Sequence, residues 1–235
     1  MRHFFTLDGT PSMNFNTFLA SSSMWDAPER DVSTVEIPGR NGNLIFDNHR
    51  FKNFQATISA YIPKEMQVNT GGVRGWLQSH AASYARYEDS MHPDEFRMAR
   101  FTGGFALSNS DRVGAAMDIT MDCKPQRWLK SGEIALNVAS GTSLYNSTRY
   151  TALPLIRCNG KNGTLTINGV TVTVSGVSSY VMLDCELMEA YEGSTNRNNK
   201  VTLNNRKFPE LVPGSNTVTF TGFSSVVITP RWWMI

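Results

Sequence analysis

The chain is poor in the residues that most often do chemistry. Among 235 residues there are three cysteines, four histidines and only 18% charged residues. The cysteines, at 123, 158 and 185, are odd in number, and none of their spacings resembles a zinc knuckle or a redox dithiol. Buried thiols in a reducing compartment are the expectation. Basic and acidic side chains nearly cancel, 22 against 20, for a net charge of +2. That balance supplies no field able to hold a polyanion by counterion release, so neither a nucleic-acid binder nor a polybasic membrane anchor is expected. Long apolar runs are also missing. No stretch approaches the ~20 apolar residues of a membrane span, and the opening Met1-Arg2-His3-Phe4-Phe5-Thr6-Leu7-Asp8 meets an acid too early for a signal core of about 7–15 apolar residues. No membrane contact is expected, and synthesis in a cytoplasm is.

Active-site constellations are as thin. His3, His49, His80 and His92 all lie in the first half of the chain while two of the three cysteines lie in the second, and none forms a local nucleophile–base signature. Asp118 with Asp122, and Asp184 with Glu186, share strand faces and could stand at the spacing glycoside hydrolysis uses, but such pairs arise freely on the wet face of any alternating strand. Gly71-Gly72 lacks the GK[ST] ending of a phosphate loop. Asn146-Ser147-Thr148 and Asn162-Gly163-Thr164 match the glycosylation sequon and carry little weight without export. No catalytic residue, cofactor site or metal site is assigned, and the chain does not read as an enzyme.

What the sequence does have is turn chemistry between short alternating segments, the mark of β structure. In Thr164–Val174, Asn168-Gly169 supplies the two positive-φ positions of a type I′ turn, which sets Ile167 against Val170 and Leu165 against Val172 with threonines on the wet side. A second Asn-Gly, Asn41-Gly42, predicts a hairpin over 31–48 that would set Ile37 opposite Phe46. Pro38 lacks a ladder donor and confines it to an edge or a projecting arm. Further strands are expected at 54–62, 96–107 and 117–123, and around Val181, Leu183, Cys185 and Leu187. One segment departs from the pattern. Val73, Trp76, Leu77, Ala81 and Tyr84 recur at helical spacing and predict a short helix over about 72–85, its stripe packing on a sheet. A boundary after Pro125-Gln126-Arg127-Trp128-Leu129 divides the chain into a first β domain, 1–129, and a Thr/Asn-rich second β domain, 130–235.

Several segments in fixed order resemble the distal tail proteins of long, flexible, non-contractile-tailed bacteriophages. They are Val35-Glu36-Ile37-Pro38-Gly39-Arg40-Asn41-Gly42, like the family's PGR-x-G arm; Trp76-Leu77, Tyr87-Glu88-Asp89 and Phe96-Arg97-Met98-Ala99-Arg100; and Cys123-Lys124-Pro125-Gln126-Arg127-Trp128-Leu129, like its C-x-P-x-R-x-L closing of the first domain. The second half continues with Pro154-Leu155-Ile156, Leu183-Asp184-Cys185-Glu186, Phe208-Pro209-Glu210-Leu211-Val212-Pro213-Gly214 and Ile228-Thr229-Pro230-Arg231-Trp232. Asn41 stands where the family often has Asp, and Arg50-Phe51 where a Gly-Tyr pair is common.

The resemblance implies a mainly β, two-domain fold: a β-sandwich or split-barrel-like ring domain with one short helix and a projecting hairpin, then a galectin-like β-sandwich. It implies a structural virion protein of the phage tail tip, made in the bacterial host cytoplasm, with no cofactor. Six copies would form a ring joining the tail-tube protein to the tail hub, with outer domains offered to receptor-binding or side-fibre proteins and DNA passing through the lumen without specific binding. On this reading the hairpin belongs to an intersubunit belt, with interface candidates Trp25, Ile37, Pro38, Gly39, Arg40 and Gly42. For Trp25 the alternative is packing inside its own subunit. Two rival roles are a carbohydrate-binding sandwich and a tail-tube protein. The first lacks a tryptophan anywhere in 130–231, and Tyr145, Tyr150, Tyr180 and Tyr191 do not cluster in sequence. The second fits the two-domain length and the PGR and KPQRW segments less well. A peptidoglycan-degrading enzyme ranks third.

Overall fold

The computed structural model describes residues 2–108 and 114–235. The chain divides into two compact units, one of residues 1–127 with Ile235 and one of residues 128–234. Both are mainly β, as expected.

The first unit is organised by one antiparallel sheet whose strands run in the order Thr10–Pro11, Phe5–Leu7, Ala85–Asp89, Glu95–Phe101, Ala115–Leu129, Phe54–Ile62 and Phe18–Ser22. Period-two patterning decides its faces. Met117, Ile119 and Met121 stand opposite Ala60, Ile58 and Ala56, and all six are buried, while Asp118 opposite Ser59 faces outward. The strand expected at 96–107 ends at Phe101 and resumes only as Leu107–Ser108, because Gly103-Gly104 interrupts it.

The helix runs Met66–Ser79 rather than 72–85. Val73, Trp76 and Leu77 are its buried stripe, as the spacing predicts, but Ala81 and Tyr84 lie beyond its end. Tyr84 immediately precedes the next strand, Ala85–Asp89, its hydroxyl donating to Asp122 Oδ2 at 2.7 Å. Gly71 and Gly72 do not open the helix but sit inside it. Gly72 is needed there, since a Cβ would stand 2.9 Å from the Phe15 ring. Trp76 stacks between Phe5 and Phe15, at centroid distances of 5.5 and 5.0 Å.

The second unit is a two-sheet sandwich. One sheet has the order Leu136–Val138, Ser225–Thr229, Leu155–Asn159, Tyr180–Asp184, Glu189–Glu192, Thr195–Asn196; the other has Thr142–Asn146, Gly214–Thr221, Asn162–Ile167, Val170–Ser175, Val201–Leu203. Ile156, Cys158, Val181, Leu183, Val226 and Ile228 of the first pack with Leu165, Ile167, Val172, Val174 and Val218 of the second. The Asn168-Gly169 hairpin forms in the expected register, Ile167 opposite Val170 and Leu165 opposite Val172, with φ of 48° and 81° at the turn. The fully buried Asn216 accepts from Asn168 Nδ2 at 2.6 Å and donates to Val212 and Gly214 carbonyls, so the turn is tied to the loop before Gly214. Leu187 falls in a turn after Asp184 and is exposed, because the strand stops before the alternation does.

All three cysteines are free and buried. Burial pushes the thiols of Cys123 and Cys158 up to about 12, and that of Cys185 up as well, which keeps them protonated and unreactive. The sequon residue Asn146 is also buried, its Nδ2 donating to the carbonyls of Tyr150 and Leu211, so this amide is committed to the fold.

Candidate interaction surface: an exposed two-stranded arm

The carboxylate pairs noted in the sequence are structural. Asp118 accepts from Ser59 Oγ at 2.6 Å. Asp122 is taken up by Tyr84, Asn53 and Arg100. Asp184 receives Arg231 in a two-point contact of 2.8 and 2.9 Å, which draws its carboxyl below the ordinary carboxylate range despite partial burial. Among the described residues no cluster of His, Cys, Asp and Glu has a metal-binding arrangement, and no helix is long and apolar enough to cross a membrane.

The unusual surface lies in the first unit. Among the described residues, strands Arg30–Glu36 and Asn43–Phe51 pair only with each other, in a two-stranded ribbon outside the main sheet. Every residue from 32 to 50 is exposed. Their composition does not suit water. Ser33 opposes Phe46 and Val35 opposes Leu44 on one face, while Val32, Thr34 and Ile45 share the other. Ile45 and Phe46 are 64% and 53% exposed. Among the described residues no other strand pairs with either long backbone edge of the ribbon. An isolated two-stranded ribbon is marginally stable in water, and an open apolar edge is an invitation to pair.

Charge pairs fasten the root of the arm. The Arg30 guanidinium meets Asp47 through Nε at 2.9 Å and Nη2 at 2.7 Å and lies 4.8 Å above the Phe51 ring. Arg50 Nε donates to Asp31 Oδ2 at 2.6 Å, and Lys52 Nζ lies 3.6 Å from Glu29. Between Arg30 opposite Phe51 and Val32 opposite Asp47, Asp31 faces three residues, 48–50, making a bulge with His49 at a φ of 56°. Asp47 holds the bulge closed by accepting from the His49 amide at 2.8 Å. The Arg30 contact pulls the Asp47 carboxyl down to about 2, and the Arg50 contact pulls Asp31 down too. A depressed folded pKa means the contribution is complete above the unfolded carboxylate value near 4 and disappears as pH falls through about 2. Asp47→Asn is therefore expected to speed amide exchange severalfold at Val32–Glu36 at neutral pH without changing it in the main sheet, as hydrogen-exchange mass spectrometry would show. The wild-type arm should loosen in the same way only below about pH 3.

The tip corrects the expected register. Ser33, not Ile37, opposes Phe46, and the last pair is Glu36 with Asn43. The loop is wider because Ile37-Pro38-Gly39-Arg40 closes its own turn, with the Arg40 amide donating to the Ile37 carbonyl at 3.1 Å and Gly39 at a φ of 80°. Proline at the second position and a positive-φ glycine at the third make a type II turn. Pro38-Gly39 thus takes the reversal that Asn41-Gly42 was expected to make.

Of the six interface candidates, Ile37, Pro38, Arg40 and Gly42 line an open depression of about 400 Å³ at this tip, and Gly39 lies in the turn between them. Trp25 is not among them. Its indole Nε1 donates to Asp89 Oδ2 at 2.6 Å, and its ring lies 4.6 Å from that of His92, so it is engaged within its own unit. Sequence reasoning missed the root clamps, since Arg30–Asp47 and Arg50–Asp31 depend on the bulge. Val35, Leu44 and Phe46 lie within the expected hairpin, but their shared face follows only from the register.

No protein-family model and no curated protein matches the sequence. Among solved structures the chain is similar to the Dit protein (gp 19.1) of SPP1, described as a paradigm of the hub adsorption apparatus in phages infecting Gram-positive hosts. The likeness covers 100% of both chains, with a TM-score of 0.80 at 13% sequence identity.

Proposed function

We propose that this chain, whose fold matches that of a phage hub adsorption protein from end to end, is itself a structural part of a phage tail tip. The match over the full length of both chains carries the reading. In this role six copies close into a ring that joins the tail tube to the central hub, the first unit builds the ring, and the second faces outward as a platform for side or receptor-binding proteins. DNA passes through the lumen without being held, in keeping with the near-neutral charge.

The arm supports the same reading on physical grounds. A ribbon with apolar side chains on both faces and two open edges gains most by lying along a neighbour. In a ring each arm reaches one neighbour and each subunit receives one arm, a head-to-tail contact that must close. Val35, Leu44 and Phe46 supply one apolar face, and Ile37 with Arg40 the tip.

Deletion of residues 39–44 is the direct test. Among the described residues the main sheet makes no strand pairing with the arm, so stability of the remainder should change by no more than about 0.5 kcal/mol. Assembly with the tube or hub partner, read by mass in solution, should be lost. Unchanged assembly would remove the belt from the proposal. Absence of the protein from the tails of purified particles, by immunogold electron microscopy, would remove the tail-tip role altogether.

A further inference from the structure

A second surface is built on the outer face of the six-stranded sheet of the second unit. Ile156 and Cys158 point into the core, so Leu155, Arg157 and Asn159, which alternate with them, face out from a central strand. Across the sheet Arg157 stands between Met182 and Val227. Leu155, Met182 and Val227 line an open depression of about 440 Å³, with Arg157 and Thr229 also on its wall.

Arg157 is held in place without being neutralised. Its guanidinium lies 4.1 Å over the Tyr180 ring, and its Nε donates to Asn159 Oδ1 at 3.0 Å. Asn159 is itself fixed through Nδ2 to Ser225 Oγ at 2.8 Å, and Tyr180 through its hydroxyl, which accepts from the Gly193 amide at 3.1 Å. Nε and one face of the group are used, and its two terminal nitrogens are left to donate. Among the described residues no carboxylate pairs with it. The acid next to it on this face, Asp184, is closed off by Arg231. Elsewhere on this unit Arg197 is neutralised by Glu192 and Lys207 by Glu210. A planar guanidinium held by stacking has already given up most of its rotamer freedom, and its free edge matches the two oxygens of a carboxylate.

We propose that this depression is a docking site for an extended segment of a partner protein in which one acidic side chain is flanked by aliphatic ones. The acid would take the free edge of Arg157, and a neighbouring aliphatic side chain would cover Leu155, Met182 and Val227. The apolar lining favours such a peptide over a charged sugar, which would set hydroxyls against those three side chains. The assignment rests on the tail-tip reading, for which it names the chemistry of a protein received by the outward unit.

The test is a titration of the full chain with two blocked tripeptides, acetyl-Leu-Glu-Val-amide and acetyl-Leu-Gln-Val-amide, followed through the Met182 methyl and Arg157 Nε–H signals in NMR spectra. The glutamate peptide is expected to move both signals to saturation, with the glutamine peptide at least tenfold weaker. Arg157→Gln should abolish the preference while leaving other resonances in place, and Arg157→Lys, which keeps the charge but not the fork, should retain only part of it. Equal binding of both peptides, or no shift at Met182, overturns the proposal. So does a response to glucuronate without one to the glutamate peptide, which would make the site a saccharide-acid site. Immunogold labelling of tails tests the tail-tip role separately, so the two can fail independently.

Discussion

Gly132→Ala is expected to cost the second unit at least about 3 kcal/mol, the upper range for forcing an added carbon into a packed interior. Gly132 is buried, and a Cβ there would lie 2.2 Å from the backbone nitrogen of Trp232, with Arg231 C and Trp232 Cα at 3.1 Å. These are main-chain atoms, so no rotamer change relieves the overlap. The segment they belong to is held on both sides, the Leu129 amide donating to Trp232 O at 2.9 Å and the Arg231 amide to Gly132 O at 2.8 Å. Displacing it breaks both bonds, lifts Trp232 from the sandwich core and strains the Arg231–Asp184 pair. Trp233 would lose its stack on Tyr150 at 4.5 Å and its indole bond to Thr151 O at 3.0 Å. The measurement is thermal unfolding followed by tryptophan emission. For a unit of this size a loss of ~3 kcal/mol lowers the midpoint by roughly 15 °C, with a red-shifted native spectrum. Gly141→Ala is the control, since nothing lies within 4 Å of its Cβ and only its φ of 91° resists the change. It should cost only about 1–2 kcal/mol. A loss at Gly132 no larger than that at Gly141 would mean that the Trp232 segment yields to the added carbon and that close approach is not what requires glycine at 132.

The Gly132 contact also shows which features could be read from the sequence. The Asn168-Gly169 hairpin was legible because its two determinants agree: the turn pair admits positive φ at both positions, and the flanking aliphatics alternate in phase with it. Phe54–Ile62 and the buried column Met117, Ile119, Met121 were legible for the same reason, since a half-buried strand writes its period directly into the sequence. By contrast Lys130-Ser131-Gly132 looks like any polar boundary. Its glycine is explained only by Trp232, 100 positions away, a pairing that periodicity does not encode.

The arm was half legible. Its position followed from turn residues, but two competing turn signals lie three residues apart, and local chemistry does not say which one closes. The type II turn at Pro38-Gly39 does, and the register moves with it, bringing Phe46 to Ser33. Arg30–Asp47 and Arg50–Asp31 span 17 and 19 residues and depend on the bulge at 48–50, so they appear only in three dimensions. For Trp25 the sequence leaves two readings, an anchor for a neighbour or packing inside its own subunit, and the bond from its indole to Asp89, 64 residues on, favours the second. The helix was recognised by type and misplaced by six residues at each end, because Tyr84 continues the periodicity by coincidence while its hydroxyl commits it to Asp122.

That same helix carries the second large expected effect. Trp76→Ala should destabilise the first unit by about 4 kcal/mol, typical of a buried tryptophan truncated to alanine. Trp76 is 8% exposed and lies between Phe5 and Phe15, so its removal opens a cavity where the helix meets the rest of the unit. The helix is a poor one by itself. It contains Gly71, Gly72 and Gly75, each about 0.8–1 kcal/mol less favourable than alanine in a helix interior, and starts from Glu65 in a left-handed conformation with no side-chain cap. Packing of Val73, Trp76 and Leu77 must therefore hold it, and loss of the central ring should reduce far-UV helical signal as well as the unfolding midpoint. Trp76→Phe separates the ring from its polar atom. The indole Nε1 is buried with no hydrogen-bond partner among the described residues, an arrangement that costs about 1–3 kcal/mol, and phenylalanine removes that donor while keeping an aromatic face between Phe5 and Phe15. The smaller cavity and the removed donor oppose each other, so Trp76→Phe should cost about 1 kcal/mol in urea unfolding and keep the helical signal. If it costs as much as Trp76→Ala, the volume of the indole rather than aromatic stacking is what seats the helix.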